Sequence, residues 1–176
     1  NCDKIVPAML NAMVRINIPA VYLSGGPMLA GPGGSDLISV FEAVGRHSVG
    51  RMSLRDLRRL GEVACPGCGS CAGLFTANSM NCLAEVVGLA LPGNGTIPAE
   101  VWADRKRTRT KPNPARDALT KRAAHALRDC LRAGLRPRDM VTLQAIDNAF
   151  VMETAMPGSS NTILHGLALA HSAGVP

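Results

Sequence analysis

Apolar residues recur along this chain mostly at helical spacing. In the stretch from Ala115 to Ala133, Leu119, Ala123, Ala126, Leu127 and Leu131 fall on one face, and Gly134 follows as a C-terminal stop. The spacing predicts further helices over Ile5 to Asn17, Asp36 to Val44, Ser53 to Val63, Ala72 to Leu91 and Thr142 to Thr154. A last one runs from a Ser160 cap to about Ala173 and ends at Gly174. Pro7 falls in the first turn of the first helix, where its missing N–H costs nothing, and Pro19 is expected to end that helix. Ser53 with Asp56 three residues later forms a capping-box pattern. One short, almost wholly apolar run, Ala20 to Leu23, reads as a strand buried in a parallel sheet. The fold class expected is α/β, with helix-rich layers on a small parallel sheet.

Composition narrows the possibilities. The chain has 176 residues, enough for one domain, and 47% of them are apolar, enough to bury a core. Aromatic residues make up 3%, too few to stack single-stranded nucleic acid. No apolar run is long enough to span a membrane. The net charge of +6 is uneven: twelve of the nineteen Lys and Arg residues lie between Arg105 and Arg138, against only Asp117 and Asp129. A polyanion patch would use such a stretch. The helical apolar stripe within it favours an ordinary solvated face, and no nucleic-acid partner is expected.

Six cysteines occupy positions 2, 65, 68, 71, 82 and 130. No secretory leader pattern is visible, so reduced thiols and a cytoplasmic setting are expected. Cys65, Cys68 and Cys71 form CPGCGSC, spacing suited to metal, cluster or redox chemistry. It resembles the start of a ferredoxin run but lacks the further Cys-Pro, because Ala72-Gly73 follows Cys71. A structural zinc site stays open, and Cys82 and Cys130 read as inert helix residues. At the other end, Cys2-Asp3-Lys4 opens the first helix. Unpaired helix amides would stabilise a Cys2 thiolate, and Asp3 sets a hard oxygen beside a soft sulfur. SGGPM (Ser24 to Met28) matches neither phosphate-loop pattern and reads first as a tight turn with close backbone approach. His47, His125, His165 and His171 lack any metal-binding spacing.

Together, NCDKIVPAML, IPAVYLSGGPM, ACPGCGSCAGLFTANSMNCLAEVVGLALPGNGTIPA and DNAFVMETAMPGSSNTILHGLALAHSAGV resemble the dihydroxy-acid dehydratase family, which includes phosphogluconate and sugar-acid dehydratases. The resemblance covers the chain apart from about Glu100 to Arg138, and it is nearer the branched-chain dihydroxy-acid branch. It implies a hydro-lyase that converts 2,3-dihydroxy acids to 2-keto acids in valine and isoleucine biosynthesis. It also implies an iron–sulfur cluster, 2Fe-2S or 4Fe-4S, and Mg2+. By resemblance, Cys2 and Cys71 ligate the cluster, while Asp3 and a carbamylated Lys4 bind magnesium. Cys65 and Cys68 receive no role.

The family's third cluster cysteine, two acidic metal ligands and the serine base of a C-terminal domain have no counterpart here. Residues 1–176 are therefore expected to be one partial N-terminal domain without catalytic residues of its own and inactive alone, from a parent that is a homodimer. Pro157 stands where the family pattern expects glycine. A sugar-acid dehydratase and a non-catalytic metal- or cluster-binding module are the alternatives.

Overall fold

The computed structural model describes residues 3–176, so Cys2 lies outside the described residues. Eight α-helices and one short hairpin make up the regular structure of the described residues. In chain order they are α1 (Ile5–Ile16), α2 (Leu37–Ser48), α3 (Leu54–Val63), α4 (Thr76–Val86), β1 (Glu100–Trp102), β2 (Thr110–Pro112), α5 (Pro114–Ala133), α6 (Pro137–Met140), α7 (Leu143–Ala155) and α8 (Asn161–Ala173). A single 3-10 turn, Pro32–Gly34, precedes α2.

The organising element is α4. Every residue from Thr76 to Ala84 is buried, although the helix is only weakly amphipathic, because α1, α7 and α8 surround it. α1 contributes Val6, Leu10 and Val14, all fully buried, and α8 contributes Leu169. Met80 and Leu83 of α4 and Ala149 of α7 complete the centre. Some polar groups that enter this core are paired, while Asn81 Nδ2 and the Glu153 carboxylate have no hydrogen-bond partner among the described residues. The Tyr22 hydroxyl donates to Asn81 Oδ1 at 3.3 Å, and burial pushes the Tyr22 phenol up to about 12.

Several helix ends follow their sequence signals. Gly134 and Gly174 close α5 and α8 in the left-handed conformation. Ser53 and Thr142 cap α3 and α7 through their side chains. Asp36 and Ser39 form a reciprocal capping box at α2.

Other expectations are corrected. The long helix over Ala72 to Leu91 is α4 alone: Leu74, at φ 54°, turns the chain before it and Gly88, at φ 82°, turns it after. Asn17, left-handed at φ 53°, ends α1 two residues before Pro19. Ser160 makes no side-chain cap on α8; the neighbouring Ser159 hydroxyl accepts from Asn161 N at 3.3 Å instead.

The expected strand over Ala20 to Leu23 is reduced to a single parallel bridge, Tyr22 with Ala90. A second such bridge joins Pro27 to Ser70. Parallel pairing is thus limited to those two bridges, and the two-stranded sheet is the antiparallel pair β1–β2. Its strands are three residues long, with no buried alternation to betray them. The chain is helix-rich with this small sheet at its edge.

No helix among the described residues is long and apolar enough to cross a membrane.

Candidate functional site

Two glycine-containing loops build the platform for Cys71. Ser70 N donates to Gly26 O at 3.0 Å and Met28 N donates to Ser70 O at 2.7 Å, so the CPGCGSC loop is fastened to SGGPM. Glycine is required on both sides. A Cβ on Gly69, at φ 135°, would stand 2.4 Å from Met28 N, and one on Gly26, at φ 91°, would stand 2.6 Å from Ile97 O. SGGPM is therefore a close-packed support beneath the cysteine loop, in keeping with the tight-turn reading.

Arg116 holds this support from below. It is the one buried member of the basic stretch among the described residues. Its guanidinium donates to the carbonyls of Gly93, Asn94 and Ile97 at 3.1, 3.0 and 3.3 Å, and also to Ser24 O. Lys121, Arg122, Arg128 and Arg132 are exposed along α5, the solvated face that the apolar stripe implied.

After Cys71 the chain turns at Leu74 and enters α4 at Thr76. Here it meets the Met156–Asn161 loop. Thr76 Oγ1 and Ser159 Oγ share a hydrogen bond of 2.9 Å, and Asn161 Nδ2 donates to Thr76 Oγ1 at 3.1 Å. Ser79 Oγ accepts from Ser159 N at 3.0 Å and donates to Leu74 O at 2.9 Å, tying both segments together. The critical glycine of this loop is Gly158, where a Cβ would stand 2.4 Å from Glu153 Oε1 and 2.7 Å from Ser79 Oγ. Pro157 is exposed, so its departure from the family pattern leaves the packed side of the loop unchanged.

These elements surround a cleft of about 450 Å3 lined by Asp3, Cys71, Phe75, Thr76, Ala77, Ser159 and Asn161. Asp3 arrives from the start of α1, whose buried face packs on α4 and α8. Lys4 Nζ lies 3.5 Å from Asp3 Oδ2, with both side chains substantially exposed. Cys71 is half-buried, while Cys65 and Cys68 are exposed and do not line the cleft.

A soft sulfur and a hard carboxylate thus face one space, a donor set that fits an iron–sulfur cluster and a magnesium ion side by side. Among the described residues, no group of three or more His, Cys, Asp and Glu side chains could hold a metal ion. Asp3 and Cys71 line one cleft without forming such a group by themselves, and the CPGCGSC thiols do not gather as one either.

The remaining thiols behave differently. Burial pushes the Cys82 thiol up to about 11, aided by Glu85 and Glu153, so it is an unreactive core residue. The Cys65 thiol is also raised, first by burial and then by Cys71 and Asp36. No histidine lines the cleft. His47 instead pairs its Nδ1 with Met52 O at 2.9 Å. The cleft residues that sequence reasoning missed are Phe75, Thr76, Ala77, Ser159 and Asn161. Their one legible signal is the placement of small polar residues at the mouths of two helices.

The chain resembles known proteins along its whole length. A dihydroxy-acid dehydratase of Aquifex aeolicus (strain VF5) is 52% identical over 178 residues, covering 99% of this chain and 30% of its own length. Those of Syntrophobacter fumaroxidans (strain DSM 10017 / MPOB) and Solidesulfovibrio magneticus (strain ATCC 700980 / DSM 13731 / RS-1) are 51% and 54% identical. They cover 99% and 100% of the chain, and 30% of their own lengths. The chain spans about 30% of the length of these curated relatives. Residues 1–176 match the family described as Dihydroxy-acid/6-phosphogluconate dehydratase N-terminal, and the chain belongs to that family.

Proposed function

We propose that this chain is the cofactor-holding part of a hydro-lyase that dehydrates 2,3-dihydroxy carboxylic acids to 2-keto acids in branched-chain amino-acid synthesis. The observation that carries this reading is the common cleft of Asp3 and Cys71. The three relatives named dihydroxy-acid dehydratase favour this branch over the sugar-acid one.

In the reaction, the substrate loses its C2 proton and its C3 hydroxyl as water, and the resulting enol tautomerises to the keto acid. When bound, the iron–sulfur cluster and magnesium supply Lewis-acid stabilisation of the departing hydroxide and of the enolate charge. Cys71 would hold the cluster together with Cys2, and Asp3 would hold the magnesium. Lys4 would join Asp3 as a carbamate: the ammonium loses one proton, the neutral Nζ bonds to the carbon of CO2 and a second proton leaves, turning a cation into an anionic oxygen donor. The Lys4 side chain is 79% exposed, which leaves Nζ open to CO2.

Thr76, Ser159 and Asn161 would orient the substrate's hydroxyl and carboxylate groups from the cleft wall, where mutual hydrogen bonds hold them in place. Phe75, at the cleft rim, would help to exclude water. The base and the remaining ligands come, on this reading, from the other 70% of a protein as long as the relatives, which acts as a cytoplasmic homodimer.

The test is anaerobic reconstitution of such a full-length polypeptide with iron, sulfide and Mg2+, followed by keto-acid assay on 2,3-dihydroxyisovalerate. The expected result is turnover that D3N abolishes, with none from the 176-residue chain alone. Turnover unaffected by D3N would contradict the role given to Asp3. Robust turnover by the short chain would contradict the division of labour.

A further inference from the structure

A second cleft, sharing no lining residue with the Asp3–Cys71 site, lies where the tip of the β1–β2 hairpin meets the C-terminal end of α3. It measures about 410 Å3, within the range of small-molecule sites. Its apolar walls are Val63 and Pro66 with the indole of Trp102, the chain's one tryptophan. Lys106, Arg107 and Glu62 belong to the same lining.

Three features distinguish this place from an ordinary basic surface. First, no ion pair or side-chain hydrogen bond joins Lys106, Arg107 or the Trp102 indole N–H to another described residue. Second, the tip is braced by hydrogen bonds to one carboxylate. Asp104 accepts from Thr108 N at 3.1 Å, Thr108 Oγ1 at 2.9 Å and Arg109 N at 3.0 Å, and these bonds hold its carboxyl below the usual range. Third, Arg107 adopts φ 55°, a left-handed conformation that a long side chain rarely takes and that this turn enforces.

The geometry points to a binding site for a nucleoside monophosphate between the β1–β2 hairpin tip and α3. The base would stack on Trp102 against Val63 and Pro66. The two positive charges of Lys106 and Arg107 match the two negative charges of one phosphate monoester. Glu62 would accept from the ribose hydroxyls. The inference is independent of the function proposed for the first cleft.

AMP is the probe. Titrated into the intact chain, it should quench Trp102 fluorescence saturably and slow hydrogen exchange at residues 62–66 and 102–108. K106Q and R107Q should each weaken binding by about tenfold or more. R128Q, on the exposed face of α5, should leave it unchanged, and circular dichroism should show all three variants folded. Adenosine should bind far more weakly than AMP. W102F, followed by equilibrium dialysis of labelled AMP, keeps the readout independent of fluorescence and should retain binding. No saturable AMP binding up to millimolar concentration would overturn the proposal. So would equal affinity for AMP and inorganic phosphate, the mark of a simple anion site, or insensitivity to K106Q and R107Q. Much tighter binding of a single-stranded oligonucleotide would overturn it in favour of a polyanion surface.

Discussion

Thr76 and Ser159 share a hydrogen bond of 2.9 Å across 83 residues of sequence, joining the first turn of α4 to the loop before α8. Neither hydroxyl has a helical reason to be there. Together with Asn161 they form a polar wall beside Cys71. The wall is built by the tertiary fold, so its members should depend on one another. S159A and T76V should each destabilise the chain by about 0.5–1.5 kcal/mol, because each loses this hydrogen bond while the partner keeps its bond to Asn161. The double variant should cost clearly less than the sum of the two. Urea unfolding of all four proteins measures this coupling; strictly additive losses would show that the two hydroxyls are independent.

Gly158 and its neighbour Pro157 should respond to different degrees. G158A forces a Cβ against Glu153 Oε1 and Ser79 Oγ and should cost about 1–3 kcal/mol. P157G changes an exposed position and should cost less than about 1 kcal/mol, chiefly through the unfolded chain. Thermal melts of the two variants decide the matter, and a larger loss for P157G would contradict this account of the loop.

Glu153 gives the chain a pH dependence. It is buried in α7, and neither carboxylate oxygen has a hydrogen-bond partner in acceptable geometry among the described residues. Burial pushes its carboxyl up, and the Thr162 hydroxyl beside it offsets part of the rise. A carboxyl raised on folding is protonated in the folded chain while already ionised in the unfolded one. Its contribution is therefore complete below the ordinary glutamate value and is lost as pH rises through the raised folded value. E153Q, which cannot ionise, should flatten that decline. Urea midpoints for both proteins from acid to neutral pH make the comparison; parallel curves would show that Glu153 titrates normally.

Arg116 should tolerate no conservative exchange. Lysine cannot span the Gly93, Asn94, Ile97 and Ser24 carbonyls with one ammonium group. R116K should cost about 2–3 kcal/mol. It should also raise hydrogen exchange in SGGPM and the loop around Asn94, where the bonds are lost. Exchange unchanged in both loops would contradict the supporting role given to Arg116.

What the sequence made legible was local. The cap at Ser53 and the stops at Gly134 and Gly174 obey rules read within one helical turn. Burial confounded the reading of α4. Its residues are buried on all sides, so no apolar stripe marked where the flanking loops began, and the helix read long. The hairpin was invisible for the opposite reason: three half-exposed residues per strand leave no alternation to detect. Spacing marked Cys65, Cys68 and Cys71 alike, and it was the resemblance to the family's motifs that singled out Cys71 and Asp3. Thr76, Ser159 and Asn161 could not, because their meeting is set by how α4 packs on α7 and α8.

The central claim is that Cys71 belongs to a metallocentre next to Asp3, whereas Cys130, half-buried on α5, does not. It is tested most directly by iron and sulfide analysis, with visible absorption, of the anaerobically reconstituted full-length polypeptide and its C71A and C130A variants. Loss of iron, sulfide and colour in C71A, with all three retained in C130A, is the predicted result. A C71A protein that keeps its cluster while C130A loses it would contradict the account.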